Sequence, residues 1–265
     1  MSAVIEGVGV HSGAHCRVHL HRDDGPLRFV LGGARIPARL EAVVATPRCV
    51  VLGDGGAARI ATVEHLLAAL RVAGFWSGVA IEVSGPEVPI LDGSAAPWLD
   101  ALATLGPAPA APPAWRPART LALVHGSTRL ELTPGPERLD VGIDYDHPAI
   151  GRQRWSGGPD DYAGVLSART YVTHVELATL LAAGGLRGAA EGRGIVFGGD
   201  GPQAALRWPD EPVRHKALDA LGDFALLGVP LEGCLTIERG SHATHVAFMQ
   251  RLRTLAPAPT PALSS

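Results

Sequence analysis

The 265 residues are 46 % hydrophobic and 18 % charged, enough to bury a sizeable core and too apolar for a disordered chain. A formal net charge of -3, from 23 Lys+Arg against 26 Asp+Glu and with no basic block, argues against a nucleic-acid binder and leaves a small ligand as the expected partner. Three scattered cysteines, Cys16, Cys49 and Cys234, form no CxxC pair and exclude a disulfide framework and a thiolate metal site, and no apolar run approaches the ~20 residues of a membrane span. Met1–Gly13 lacks the cationic start and long apolar stretch of a signal peptide, so the expected location is the reducing cytoplasm.

In chain order, Val8–Leu20 and Leu27–Val51 read as short strands with turns. A helix is predicted over Val63–Ala73, with Thr62 as cap and Gly74 as its end. A strand over Val79–Val83 and a helix over Ala95–Leu105, capped by Ser94, follow. The stretch Gly106–Pro117 (GPAPAAPPAWRP) carries five prolines in twelve residues, which neither a helix interior nor a central strand tolerates. It marks a linker between two halves.

The second half repeats the order. Leu121–Val124, Arg129–Leu132 and Leu139–Tyr145 read as strands. Thr173 and Glu176 have capping-box spacing ahead of an apolar helix to Ala183, and glycine-rich turns lead to Ile195–Phe197. A helix over about Val213–Leu227 has Asp210, Glu211 and Pro212 at its start and Gly228 at its end. A strand over Cys234–Ile237 and a helix over His242–Leu255, capped by Ser241, complete the unit. Each half thus ends helix–strand–helix after a set of strands, which predicts an α+β fold of two similar domains, each a helical layer on a sheet. The boundaries are 1–106, a linker over 107–117, 118–255, and a disordered tail over 256–265.

The sharpest chemical signal is VRHKALDALGD, Val213–Asp223. His215 and Asp219 are four apart on a helix and project from one face, a spacing that suits two ligands on one metal, and Asp223 continues the stripe. A solvated His–Asp pair on an amphipathic helix would give the same spacing. In ATVEHLLAAL, Glu64 and His65 are adjacent at a helix start and diverge by about 100°, so one serves as ligand and the other as base, or Glu64 merely offsets the helix dipole. Taken together, His65 from one half and His215 and Asp219 from the other give a three-ligand site with an open position, the composition of a catalytic zinc centre. His242, after Gly240 and Ser241, is a candidate acid or donor, whereas His245 sits in a merely helical context. His15, His19 and His21 alternate along a strand and share a face; solvent-facing strand residues give the same pattern, so the spacing alone assigns them no metal.

At these residues the chain resembles the UDP-3-O-acyl-N-acetylglucosamine deacetylases, zinc enzymes of lipid A synthesis. The matching motifs run in order: GVGVHSG (Gly7–Gly13), TVEH (Thr62–His65), PEVPILDGSAAPW (Pro86–Trp98), DHPAIG (Asp146–Gly151), SART (Ser167–Thr170), VRHKALDALGD, and the GSH segment before the last helix. The resemblance implies mostly antiparallel sheets, a small insert in each domain, and an active site between the domains. The second insert, about 171–198, would form an apolar passage for the acyl chain. It assigns the metal, zinc with iron as the alternative, to His65, His215 and Asp219, and the general base to Glu64. It assigns the catalytic histidine to His242 with Asp223 as partner, and oxyanion and substrate contacts to Thr170 and Lys216. His11 and Asp92 lie in matching motifs; His11 is taken as a substrate contact. The implied partner is a UDP-acyl-sugar, and a monomer is expected.

Four departures stand out. Arg239-Gly240-Ser241-His242 replaces the family's Lys-x-Gly-His, and Ala243-Thr244-His245 replaces an asparagine-rich stretch. Thr173 takes an aromatic position of the passage, and Gly188-Ala189-Ala190 replaces a Gly-Gly-Ser turn. They leave two other readings open: a deacetylase for another N-acyl sugar, and a nucleotide-sugar binder that does not hydrolyse.

Overall fold

A computed structural model describes residues 1–190 and 192–255. The fold is α+β. The first half contains β1 (Ser2–Val8), β2 (His15–Pro26), β3 (Arg28–Leu31), β4 (Ala34–Pro37), β5 (Val43–Ala45), β6 (Val51–Gly53), β7 (Arg59–Ala61), α1 (Glu64–Val72), β8 (Ser77–Val83) and α2 (Ala96–Ala103). The second contains β9 (Leu121–His125), β10 (Thr128–Thr133), β11 (Arg138–Asp144), β12 (Arg152–Gly157), α3 (Pro159–Val165), β13 (Tyr171–Thr173), α4 (His174–Ala182), β14 (Ile195–Gly198), β15 (Gly201–Pro202), α5 (Glu211–Ala225), β16 (Cys234–Glu238) and α6 (His242–Leu255).

The halves share one topology. The first sheet runs β1-β2-β8-β3-β4 and the second β9-β10-β16-β11-β12. In each, the strand between the two main helices sits at the centre, with one parallel neighbour (β3 or β11) and antiparallel pairing elsewhere. In each, a three-stranded insert (β5-β6-β7 or β13-β14-β15) precedes the first main helix. The likeness of the halves read from element order therefore extends to strand pairing.

The helices α1 and α5 pack against each other at the centre of the molecule. Every residue from Glu64 to Leu70 is buried, and of α5 only Arg214 and Lys216 are not. One apolar core runs through both halves, from Leu20, Leu67 and Trp98 to Leu130, Leu218 and Phe224. The close approach needs Gly222: a Cβ there would lie 2.0 Å from the Glu64 carbonyl oxygen. The proline-rich linker is anchored, because Trp115 donates its amide to the Pro230 carbonyl at 2.8 Å and accepts from the Glu232 amide at 3.0 Å.

Two predicted caps are not formed as expected. Val63, not Thr62, is the N-cap of α1; Thr62 has φ 58° and donates its hydroxyl to Glu87 at 2.9 Å. Ala95 is the N-cap of α2; the Ser94 hydroxyl receives the Ala96 amide at 3.4 Å and itself donates to Asp92 at 2.8 Å. In both places an acid, buried Glu87 or partly buried Asp92, claims the hydroxyl. The Ser241 cap and the Thr173–Glu176 capping box are present. Strand β1 begins six residues before the predicted start at Val8, and the segment forming β12 and α3 carried no sequence reading. The tail expected over 256–265 lies outside the described residues. No helix among the described residues is long and apolar enough to cross a membrane.

Candidate active site

The site lies where the start of α1 faces α5. The chain enters α1 through Thr62 in a left-handed conformation, costly for a β-branched residue, on the order of 1–3 kcal/mol. Glu87, 1 % exposed, holds that turn: it accepts the Thr62 hydroxyl, the His11 amide at 3.0 Å and the Ser12 amide at 2.7 Å. The GVGVHSG turn and the α1 start are thereby tied through one buried carboxylate.

His65, His215 and Asp219 converge as the helical spacing and the two-half arrangement predict. Their ligand atoms lie within 4.8 Å of one another and all three side chains are buried. Asp219 Oδ1 is 3.3 Å from His215 Nε2 and 3.8 Å from His65 Nε2. The His215 Nδ1 donates to the Ala168 carbonyl at 3.0 Å, since a carbonyl can only accept, so in the neutral ring Nε2 carries a lone pair aimed at the cluster. Burial favours the neutral form of both rings: it lowers the His65 pKa to about 3, with the neighbouring His215 adding to the effect, and lowers that of His215. Burial opposes the Asp219 charge, but Lys216 and His215 outweigh it and hold the carboxyl well below the usual range. Lys216 Nζ donates to Asp219 Oδ2 at 3.0 Å, leaving Oδ1 to the two imidazoles. Two neutral imidazoles and one carboxylate, closed off from water, fit a divalent transition metal of the zinc type.

A second set of groups stands beside the first. Glu64 Oε2 accepts the Val50 amide at 3.0 Å, and Oε1 is 3.9 Å from His242 Nε2. His242 Nδ1 is bonded to Asp223 at 2.8 Å and 3.0 Å. Burial raises the Glu64 pKa to about 7. Burial also opposes the His242 charge, but Asp223 dominates through charge and hydrogen bonding and raises its pKa to about 10. Asp223, Asp219 and His215 all lie on one face of α5, so a single helix serves both sets.

Thr170 and His11 are half-buried at the margin. Thr170 follows Ala168, whose carbonyl holds His215, and its amide donates to the Gly93 carbonyl at 2.7 Å. The SART segment is fixed from below by Glu211, fully buried, which accepts the Arg169 guanidinium and amide at 2.9–3.0 Å and the Arg207 amide at 2.6 Å. The pKa of His11 is lowered, chiefly by burial.

Three residues were undervalued by the sequence reading. His245, treated as merely helical, is 3 % exposed and its Nδ1 lies 2.7 Å from Asp223 Oδ2, so Asp223 serves two imidazoles. The i,i+3 spacing from His242 was its visible signal. Glu211, read as a helix-dipole acid, is the anchor of SART. Glu87 had no local signal beyond its place in a matching motif. In the second insert, α4 leaves Val175 76 % and Leu181 51 % exposed, with Leu177 and Leu180 packed on Val10, Ile90 and Leu186. Thr173 accepts the Glu176 amide at 3.3 Å and so caps α4.

Comparison with known proteins identifies the family. The family model described as UDP-3-O-acyl N-acetylglycosamine deacetylase matches residues 1–254. Curated relatives named UDP-3-O-acyl-N-acetylglucosamine deacetylase include one from Thermosynechococcus vestitus, 40 % identical over 259 residues, 93 % of this chain and 90 % of that protein. Others come from Brucella ovis and Brucella canis, each 35 % identical over 256 residues, 91 % of this chain and 89 % of theirs.

Proposed function

The chain belongs to the UDP-3-O-acyl N-acetylglycosamine deacetylase family, and from that premise we propose that it hydrolyses the N-acetyl amide of UDP-3-O-acyl-N-acetylglucosamine, releasing acetate, in lipid A biosynthesis. The two halves act as domains over 1–106 and 118–255 with the reaction between them, as the α1–α5 contact and the repeated sheet order support. The nucleotide-sugar substrate points to the cytoplasm, and all the assigned groups come from one chain, in keeping with a monomer.

The observation that carries the reading is the placement of the Glu64–His242–Asp223 line beside the His65–His215–Asp219 cluster. His65 and His215, through Nε2, and Asp219, through Oδ1, would hold the metal, zinc by its donor set and iron as the alternative. When bound, it supplies Lewis acidity toward water and the amide carbonyl. Glu64, with Oε2 held by Val50, has Oε1 free to take a proton from the attacking water. The water oxygen bonds to the acetyl carbon as the C–N bond breaks. His242, protonated and held by Asp223, passes its Nε2 proton to the leaving amine. The Lys216 ammonium and the Thr170 hydroxyl donate to the oxygen that gains charge. His11 contacts the substrate, and α4 borders the acyl chain.

Two variants test the assignments. Glu64→Gln keeps the metal and loses about 10²–10⁴-fold in turnover of UDP-3-O-acyl-N-acetylglucosamine; full activity would remove Glu64 as base. His65→Ala loses the metal by elemental analysis, and unchanged metal content would remove His65 from the ligand set. The change at Thr173 favours a second reading, a shifted acyl preference, which a substrate panel of graded chain length resolves.

A further inference from the structure

The outer face of the first sheet takes no part in the chemistry above. On β2, Cys16, Val18 and Leu20 point into the core, while His15, Arg17, His19 and His21 line the opposite face. On β8, Glu82 is the one exposed residue. The antiparallel register sets His19 opposite Glu82 and His21 opposite Ala80, whose short side chain places nothing long between His21 and the carboxylate. His19 Nδ1 lies 3.4 Å from Glu82 Oε2, and His21 Nε2 lies 4.0 Å from Oε1. The ring centroids are 5.1 Å apart. One ligand atom from each of the three side chains lies within 4.8 Å of the other two.

We propose that His19, His21 and Glu82 form a second divalent transition-metal site, of two imidazoles and one carboxylate, on the outer face of the first sheet. Three donors at about 2.0–2.2 Å from one tetrahedral ion stand about 3.5 Å apart, so small side-chain rotations suffice to close the set. Nitrogen donors with a single carboxylate suit Zn2+, Ni2+ or Cu2+, whereas Ca2+ and Mg2+ call for an all-oxygen shell. The nearby cations are engaged elsewhere: Arg17 with Glu6 at 3.5 Å, Arg28 with Asp23 at 2.5 Å, and Arg22 over the Phe75 ring. The paired strands fix the backbone before the ion arrives, so binding orders only three side chains. Solvent stands over the trio, whose side chains are 37 %, 29 % and 53 % exposed, and completes the shell with water. The site shares no ligand with the internal cluster and does not depend on the deacetylase reading.

The test uses the full chain with its internal site first filled with zinc. Cu2+ is then titrated and followed by calorimetry and electron paramagnetic resonance. One further equivalent is expected, with nitrogen splitting from two imidazoles. The double variant His19→Gln/His21→Gln is expected to weaken that equivalent by about tenfold or more, with fold, internal zinc and deacetylation unchanged. Surface substitutions of this kind usually move stability by less than about 0.5 kcal/mol. A smaller weakening overturns the proposal, as does the lack of a further equivalent in the wild type. His65→Ala, which strips the internal site, retains the added equivalent if the two sites are separate; its loss there also overturns the proposal.

Discussion

Asp223 receives two imidazoles on one fully buried carboxylate, and that sharing governs the proton on His242. The folded pKa of His242, about 10, lies above its ordinary 6.5. The ion pair therefore contributes stability in full below pH 6.5 and loses it as the pH rises through about 10. The stability advantage of the wild type over His242→Ala is expected to shrink across that interval, read by denaturant unfolding at a series of pH values. In the proposed role of general acid, His242 is also expected to set the basic limb of kcat/KM. Asp223→Asn is expected to move that limb to lower pH, and an unmoved limb would separate Asp223 from the acid. His245→Leu removes a donor to a buried charge, worth about 1.5–3 kcal/mol, so a roughly 10–100-fold loss of kcat/KM is expected. His245→Asn, which keeps an N–H donor, is expected to recover most of it; equal loss in both variants would show that volume, not donation, is what His245 supplies.

Helix α5 contains a glycine at a place where propensity alone would favour alanine by about 1 kcal/mol. The structure reverses that sign. A methyl group at Gly222 would meet the Glu64 carbonyl oxygen at 2.0 Å, and that oxygen belongs to α1 backbone, which cannot swing aside like a side chain. Gly222→Ala is expected to destabilise by roughly 1–3 kcal/mol, the usual range for overpacking, and to lower metal content by pushing His65 away from His215 and Asp219. Neutral or raised stability in denaturant, with metal content intact, would mean that the helices separate without consequence. The same pair of helices explains why His65 and Glu64, adjacent in sequence, serve different groups. From a buried α1, His65 faces His215 and Asp219 while Glu64 faces His242.

Across the whole molecule, one core joins two sheets of the same strand order. A shared core couples the halves, so unfolding is expected to be a single transition. Trp98 reports on the first half and Trp155 on the second, both nearly buried. Fluorescence of single-tryptophan variants and far-ultraviolet circular dichroism should give coincident midpoints; two separated transitions would show that the halves fold independently.

What the sequence determined by itself was whatever depends on neighbours within a turn or two. The 3.6-residue period placed His215, Asp219 and Asp223 on one face of α5, and the Thr173–Glu176 box marked the start of α4. Motif order carried the family, and with it the proposal of His65, Lys216, Thr170 and His242 as site residues. The tertiary structure alone decided that the Thr62 hydroxyl does not cap α1, because Glu87, 25 residues further on, accepts it, whereas the Ser94 hydroxyl goes to its near neighbour Asp92. It also decided that His245 turns inward to Asp223, that a Cβ at Gly222 would meet the Glu64 carbonyl, and that Glu82 joins His19 and His21 across a strand pair. Those outcomes depend on atoms brought within a few ångströms by packing, and local spacing carries no information about which distant residue arrives there.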